Sequence, residues 1–243
     1  MKFKPVKLAP ALIAVGVIAL VCLVRVLHLD FFERLECLTY DMRVREALKF
    51  APPAATNLGF VDINEPSIAF VKTNRSLGYN YGLYWPRQVY GRLVEELAAQ
   101  RAKAVAFDVI LGELREDHPP VHMANDQFID SDKFLALQMR RAGNVIIAVD
   151  QDLQPPPLFA TNALALGDIT TDKDSDGILR RAKAFRFYVK WHWAFRQAEA
   201  DPDWGIDLRQ ARVEPKQVIL PRSNGEEIKV PLDAEGNFDL AGF

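Results

Sequence analysis

Three aspartates stand at or near the end of short apolar runs: Leu58-Gly-Phe-Val-Asp62-Ile63, Lys103-Ala-Val-Ala-Phe-Asp108 and Asn144-Val-Ile-Ile-Ala-Val-Asp150. Carboxylates gathered at one edge can accept hydrogen bonds from a ligand or share a hard cation. Each could equally cap its own loop or the following helix. Arg87 offers the opposite charge. It follows Trp85-Pro86, and proline is favoured at the first position of a helix. A guanidinium beside helix-terminal amides can hold an anionic group, with Trp85 as an apolar wall. Alternatively, Arg87 pairs with one of these aspartates, Asp62 or Asp108, as a structural bridge. Asp62, Trp85, Arg87, Asp108 and Asp150 are therefore the candidate ligand-binding residues.

These side chains need a frame. The apolar runs read as strands, and helical patterns lie between them. After Pro86, Val89, Tyr90, Leu93, Val94 and Leu97 share one face, and after Ser131 so do Phe134, Leu135, Leu137 and Met139. Gly143 ends the second helix. Continuous apolar strands alternating with helices predict an α/β domain, a mostly parallel sheet with helices on both faces. Ligands bind such sheets at the C-terminal strand edge, where the aspartates would stand. Further on, Val218-Ile-Leu and Ile228-Lys-Val flank Asn224-Gly225, which predicts a C-terminal β-hairpin region. Phe238-Asp-Leu follows the turn at Gly236 and reads as a strand just beginning. The chain is expected to continue in a longer protein.

Several chemistries are excluded or weak. No phosphate loop, dinucleotide glycine fingerprint, nucleophile elbow or zinc-binding helix is present. Asp172-Lys-Asp-Ser-Asp-Gly177 begins like a calcium loop, but its twelfth position is Lys183 where a bidentate glutamate belongs. An acidic turn paired with Arg180 and Arg181 is the expectation. His118 and His122 are two loop imidazoles, a poor start for a metal site. No metal, cofactor or catalytic residue is predicted. Residues 180–196 interleave basic and aromatic side chains, but Phe185, Phe187 and Val189 alternate as in a half-buried strand. Nucleic acid is not an expected partner. Asn74-Arg75-Ser76 matches a glycosylation sequon, a short motif that recurs by chance.

The 243 residues carry a net charge of −2 and 49% hydrophobic residues, an ordinary composition for a folded protein. The average conceals an asymmetry. Residues 1–29 hold four basic residues (Lys2, Lys4, Lys7, Arg25) and no acid, which leaves 26 basic against 32 acidic residues in the remainder. Leu8 to Val24 is a run of 17 residues without a charge. As a helix it covers ~26 Å, and Arg25 to Leu29 extend it toward a ~30 Å hydrocarbon core. No small-x-small cleavage site follows, so an uncleaved transmembrane helix is expected over 8–29. The preceding lysines put a tail, residues 1–7, in the cytoplasm and the later chain outside. Cys22 within this helix and Cys37 beyond it are not expected to pair.

Residues 30–48 then predict a juxtamembrane helix, ended by Ala51-Pro52-Pro53. Phe31, Leu35, Leu38 and Met42 recur at the seam spacing of paired helices. They could form a homodimer contact that carries motion to the membrane, or pack on their own domain. Residues 49–243 form the outer domain.

The order of features resembles the type-two CHASE domain, the sensory extracellular module of bacterial cyclases and histidine kinases. Leu35-Glu-Cys-Leu-Thr-Tyr-Asp-Met-Arg43 resembles the start of that family. Phe60-Val-Asp-Ile-Asn-Glu-Pro-Ser67, Trp85-Pro-Arg87, Ala104-Val-Ala-Phe-Asp108 and Gly143-Asn-Val-Ile-Ile-Ala148 follow in the family's order. Asp132 with Phe134-Leu135, and Asp174-Ser-Asp-Gly-Ile-Leu-Arg-Arg181, complete the series. The stretches 72–84 and 112–129 are longer than the family leads one to expect.

The resemblance implies a non-catalytic sensory input module on the periplasmic side of a bacterial inner membrane. The stimulus would be a small molecule or an envelope protein, the partners the lipid bilayer and a second copy, and the output a cytoplasmic cyclase or kinase outside this chain. An envelope scaffold of the same fold, and a metal-dependent hydrolase built on Asp62, Asp108 and Asp150, are the rival readings.

Overall fold

The computed structural model describes residues 8–26, 30–50, 57–74, 85–186 and 191–240. Tail residues 1–7, the stretch at Pro52-Pro53, Arg75 and Ser76 of the sequon, and Phe187 and Val189 lie outside them. Two compact units are present. The first takes residues 1–59 with 175–178, and the second takes 60–174 with 179–243.

The first unit is helical. α1 (Leu8–Val26) has 19 residues, Pro10 standing in its first turn, where a missing amide costs nothing. From Leu12 to Leu23 its large apolar side chains are 55% to 67% exposed. A helix of this length covers ~28 Å. Among the described residues no helix is long and apolar enough to cross a membrane, so the expected transmembrane span at 8–29 is not carried by the structure. α2 (Asp30–Ala47) agrees with the helix expected over 30–48. Phe31, Leu35, Leu38 and Met42 are 40% to 62% exposed along it. Cys22 and Cys37 are not joined in a disulfide.

The second unit begins with a correction. Residues 58–63 are not a strand; they run as coil into α3 (Glu65–Thr73). Asn64 caps this helix, its Oδ1 accepting the Ser67 amide at 3.1 Å, and Pro66 occupies the first turn. The helix-starting residues act immediately after the apolar run. Phe60 is 84% exposed, and only Ile63 of the run packs on the core. Asp62 therefore stands in exposed coil rather than at a strand end.

The remaining elements are α4 (Arg87–Ala99), β1 (Val105–Ile110), β2 (Val121–His122), β3 (Phe128–Ile129), α5 (Ser131–Ala142), β4 (Val145–Val149), α6 (Pro157–Ala160), β5 (Ala165–Asp168), β6 (Arg181–Lys183), α7 (Trp193–Ala200), β7 (Arg212–Glu214), β8 (Gln217–Pro221), β9 (Glu227–Pro231) and β10 (Asn237–Asp239). The α/β expectation holds: β1, β4 and β5 form a parallel sheet in that order. Its third strand is Ala165–Asp168, in place of 58–63. All five residues of β4 are buried, as a central strand covered on both faces requires.

Val145 and Ile147 join Tyr90 and Val94 of α4, Leu135 and Met139 of α5 and Phe159 of α6 in one core. The alternate residues Ile146 and Ala148 point the other way, where α7 packs on β4 and β5. Gly91 lets α4 approach α5, because a Cβ there would lie 2.7 Å from the Phe134 ring. Gly143 ends α5 in the left-handed conformation at φ 69°.

A second core surrounds the C-terminal β region. β7, β8 and β9 form an antiparallel sheet, and Asn224-Gly225 makes the β8–β9 turn, with Gly225 at φ 87°. Val218, Leu220 and Val230 pack with Trp191, Phe195 and Phe238. Phe238 lies in β10, which pairs antiparallel with β6.

Candidate functional site

The sheet edge does not gather the three aspartates. Asp108 lies within β1 and faces solvent, and pairing with β4 shifts register between Phe107 and Ile110. Asp150 does follow β4, but its Oδ1 accepts the amides of Asp152 at 2.8 Å and Leu153 at 2.6 Å. It is a loop cap, one of the two roles open to a strand-end carboxylate. Among the described residues no group of three or more His, Cys, Asp or Glu side chains is arranged to hold a metal ion.

The buried carboxylate at this edge is Asp168, the last residue of β5, 1% exposed. Its Oδ2 meets Arg186 Nε at 2.9 Å, and Oδ1 accepts the Thr170 hydroxyl at 2.7 Å. Arg186 also binds Asp172. The next carboxylate of the calcium-like turn is held the same way: Asp174 meets Arg180 at 2.9 Å and Arg181 at 3.2 Å. Arginines thus hold Asp172 and Asp174, as the failed calcium loop led one to expect, while Asp176 Oδ1 accepts the Ile178 amide at 3.1 Å.

The denser polar site lies where α4 and α5 begin. Arg87 is the first residue of α4 and is buried; its Nε lies 3.7 Å from Asp132 Oδ1 in the first turn of α5. Asp132 Oδ2 accepts the Arg115 amide at 2.6 Å. Pro86 provides no side-chain cap to α4. Its first amides are taken by other segments: the Arg87 N–H donates to His118 Nδ1 at 3.3 Å and the Gln88 N–H to Ser131 Oγ at 2.7 Å. Ser131 therefore does not cap its own helix but caps the neighbouring one.

Burial pulls the Arg87 guanidinium below its ordinary pKa, and Asp132 opposes the shift. Burial likewise lowers His118, against the pull of Asp117. Tyr90 is pushed up by burial and drawn back by Arg87. Trp85 Nε1, Arg87 Nε and Asp132 Oδ1 are among the buried polar atoms at this corner that make no hydrogen bond. Folded proteins leave few such atoms without a reason.

Of the five candidate residues, the structure therefore places Trp85 and Arg87 at one corner, Asp62 in exposed coil, Asp108 on the solvent side of β1 and Asp150 as a loop cap. The partner of Arg87 is Asp132, which sequence reading singled out only as part of a resemblance. His118, dismissed as a metal ligand, is a helix cap. A buried acid in the first turn of a helix that opens Ser131-Asp132 was the available signal for the first. A loop histidine carries no comparable signal.

A family model, the CHASE2 domain, matches residues 16–240. No curated protein and no solved structure matches the chain. The match spans both units and every element from the body of α1 to β10, with Trp85 and Arg87 inside it, so the chain belongs to the CHASE2 family of sensory, extracellular-type domains.

Proposed function

We propose that the chain is the outward-facing input module of a bacterial transmembrane signalling protein, non-catalytic itself and anchored in the inner membrane by α1. The observation that carries this reading is the surface of α1. Its large apolar side chains are exposed at successive positions and so on every side of the helix. A helix apolar all round needs an apolar environment, and lipid provides one. A shortfall of a few Å against the hydrocarbon core is within what local thinning and interfacial lysines absorb. Lys2, Lys4 and Lys7 precede it, which orients the second unit toward the periplasm.

On this reading a small molecule or an envelope protein binds the second unit at the Trp85–Arg87 corner and favours one of two states of α2 and α1. Phe31, Leu35, Leu38 and Met42 make the seam with a second copy through which those states reach a cyclase or kinase. The test is a pair of fusions after Phe243. Alkaline phosphatase should be active there and a cytosol-only fluorescent protein dark; the reverse pattern overturns the proposal.

The scaffold reading draws on one observation of its own. Phe60, Val61 and Phe70 are exposed on the second unit, and apolar side chains at a surface can serve a protein partner. Pull-down of one stoichiometric envelope protein, lost in Phe60→Ser and Phe70→Ser, would favour it.

A further inference from the structure

Two helices of the second unit start on a histidine that must be neutral. His118 Nδ1 accepts the Arg87 N–H at 3.3 Å at the start of α4. His192, the residue before α7, accepts the Ala194 N–H on its Nδ1 at 3.2 Å. An imidazole nitrogen that accepts carries no proton, so both rings hold their proton on Nε2. An imidazolium has N–H groups on both nitrogens and can cap neither helix. It would also put positive charge against the positive end of a helix dipole.

The surroundings sharpen this. His118 is buried, with Arg87 from α4, Asp132 from α5, and Arg115 and Asp117 from its own loop around it. His192 faces Asp168 of β5 and Arg186, and its ring lies 5.0 Å from that of Phe238 in β10. Asp168 is already engaged by Arg186, and Asp132 by Arg87 and the Arg115 amide. The carboxylates that would welcome a second cation are therefore occupied. α4 packs on α5 and α7 on β4 and β5, so the two caps govern helices of separate layers.

We propose that protons are a stimulus of this domain: acid protonates His118 and His192, releases the starts of α4 and α7, and shifts the domain to a second state. This rests on the outward-facing sensory reading, which gives the surface access to external pH. The sign is set by burial, which lowers both histidines below the ordinary value near 6.5. The unfolded or released state then binds more protons in the window just below that value. Helix-start stability is full above it and falls as pH drops.

The experiment is hydrogen exchange, read by mass spectrometry on the full chain in lipid nanodiscs at pH 7.5 and 5.0 and expressed as protection relative to intrinsic rates. Peptides covering 85–91 and 191–197 should each lose about fivefold or more in protection at pH 5.0, the weight of one helix cap. In His118→Asn with His192→Asn, an amide oxygen accepts in place of Nδ1 without titrating, and protection should be level across the two pH values. Unchanged wild-type protection at pH 5.0 overturns the proposal; so does an equal loss in the double variant, which would assign the effect to carboxylates. Should the double variant misfold, His192→Asn alone tests α7, and ¹⁵N spectra of labelled histidines test whether His118 holds the Nε2–H form at pH 7.5 and titrates. A level response with an external reporter removes this inference alone. A cytosolic reporter removes the sensory reading and leaves the titration standing.

Discussion

Arg87 and Asp132 sit opposite each other at the starts of two helices, both largely buried, 3.7 Å apart. Breaking such a pair leaves a buried charge without its partner, so Arg87→Ala should cost about 3 kcal/mol and lower the melting temperature. Arg87→Met with Asp132→Leu should recover most of that loss, because burying two apolar side chains removes both desolvation penalties. A double variant no better than Arg87→Ala in a urea titration would contradict the pairing. The exposed carboxylates behave differently. Asp62→Asn and Asp108→Asn should stay within about 0.5 kcal/mol of the parent. A signalling defect in either, with stability intact, would return these aspartates to the ligand site. Asp150→Ala lies between, since it strips acceptors from the Asp152 and Leu153 amides.

The elements are set by close approaches that particular residues permit. Gly91 stands in α4 against Phe134, and a Cβ would meet a ring that is itself fully buried. Gly91→Ala should therefore destabilise by about 1–3 kcal/mol, the range of an overpacked core. At Gly167 in β5 the Cβ would lie 2.8 Å from the Trp193 backbone Cα. Backbone retreats less readily than a side chain, so Gly167→Ala should shift the urea midpoint at least as far as Gly91→Ala. A smaller shift at Gly167 would mean that α7 is free to move on the sheet. Element-level reading succeeded where periodicity was long, in α4 and α5, and where turn chemistry was strong, at Gly143 and Asn224-Gly225. It failed at 58–63 because an apolar run of six residues is strand-like until a neighbouring strand is or is not there to pair with it. Ala165–Asp168 escaped notice for the converse reason: Ala-Leu-Gly-Asp has little strand propensity, and pairing with β4 alone makes it a strand.

At the scale of the molecule, each of the two units is compact in its own right. Both cores belong to the second, so deletion of residues 1–50 should leave a chain that unfolds cooperatively and needs no detergent, while the full chain needs detergent or lipid. A truncated chain that fails to fold would show that α1 and α2 supply part of the core. The extremes of the chain were legible in order along the sequence. The apolar run at 8–24, its flanking lysines, the alternation of apolar runs with amphipathic helices and the succession of family-like motifs are all local properties, and the family match takes in those that lie within residues 16–240. The chemistry of the corner was not local. Asp132 reaches Arg87, Ser131 reaches Gln88 and His118 reaches the start of α4 across 45, 43 and 31 positions of chain. Hydrogen-bond partners that distant follow from how helices pack, not from spacing. A histidine becomes an obligate acceptor only once packing has aimed an amide at its Nδ1.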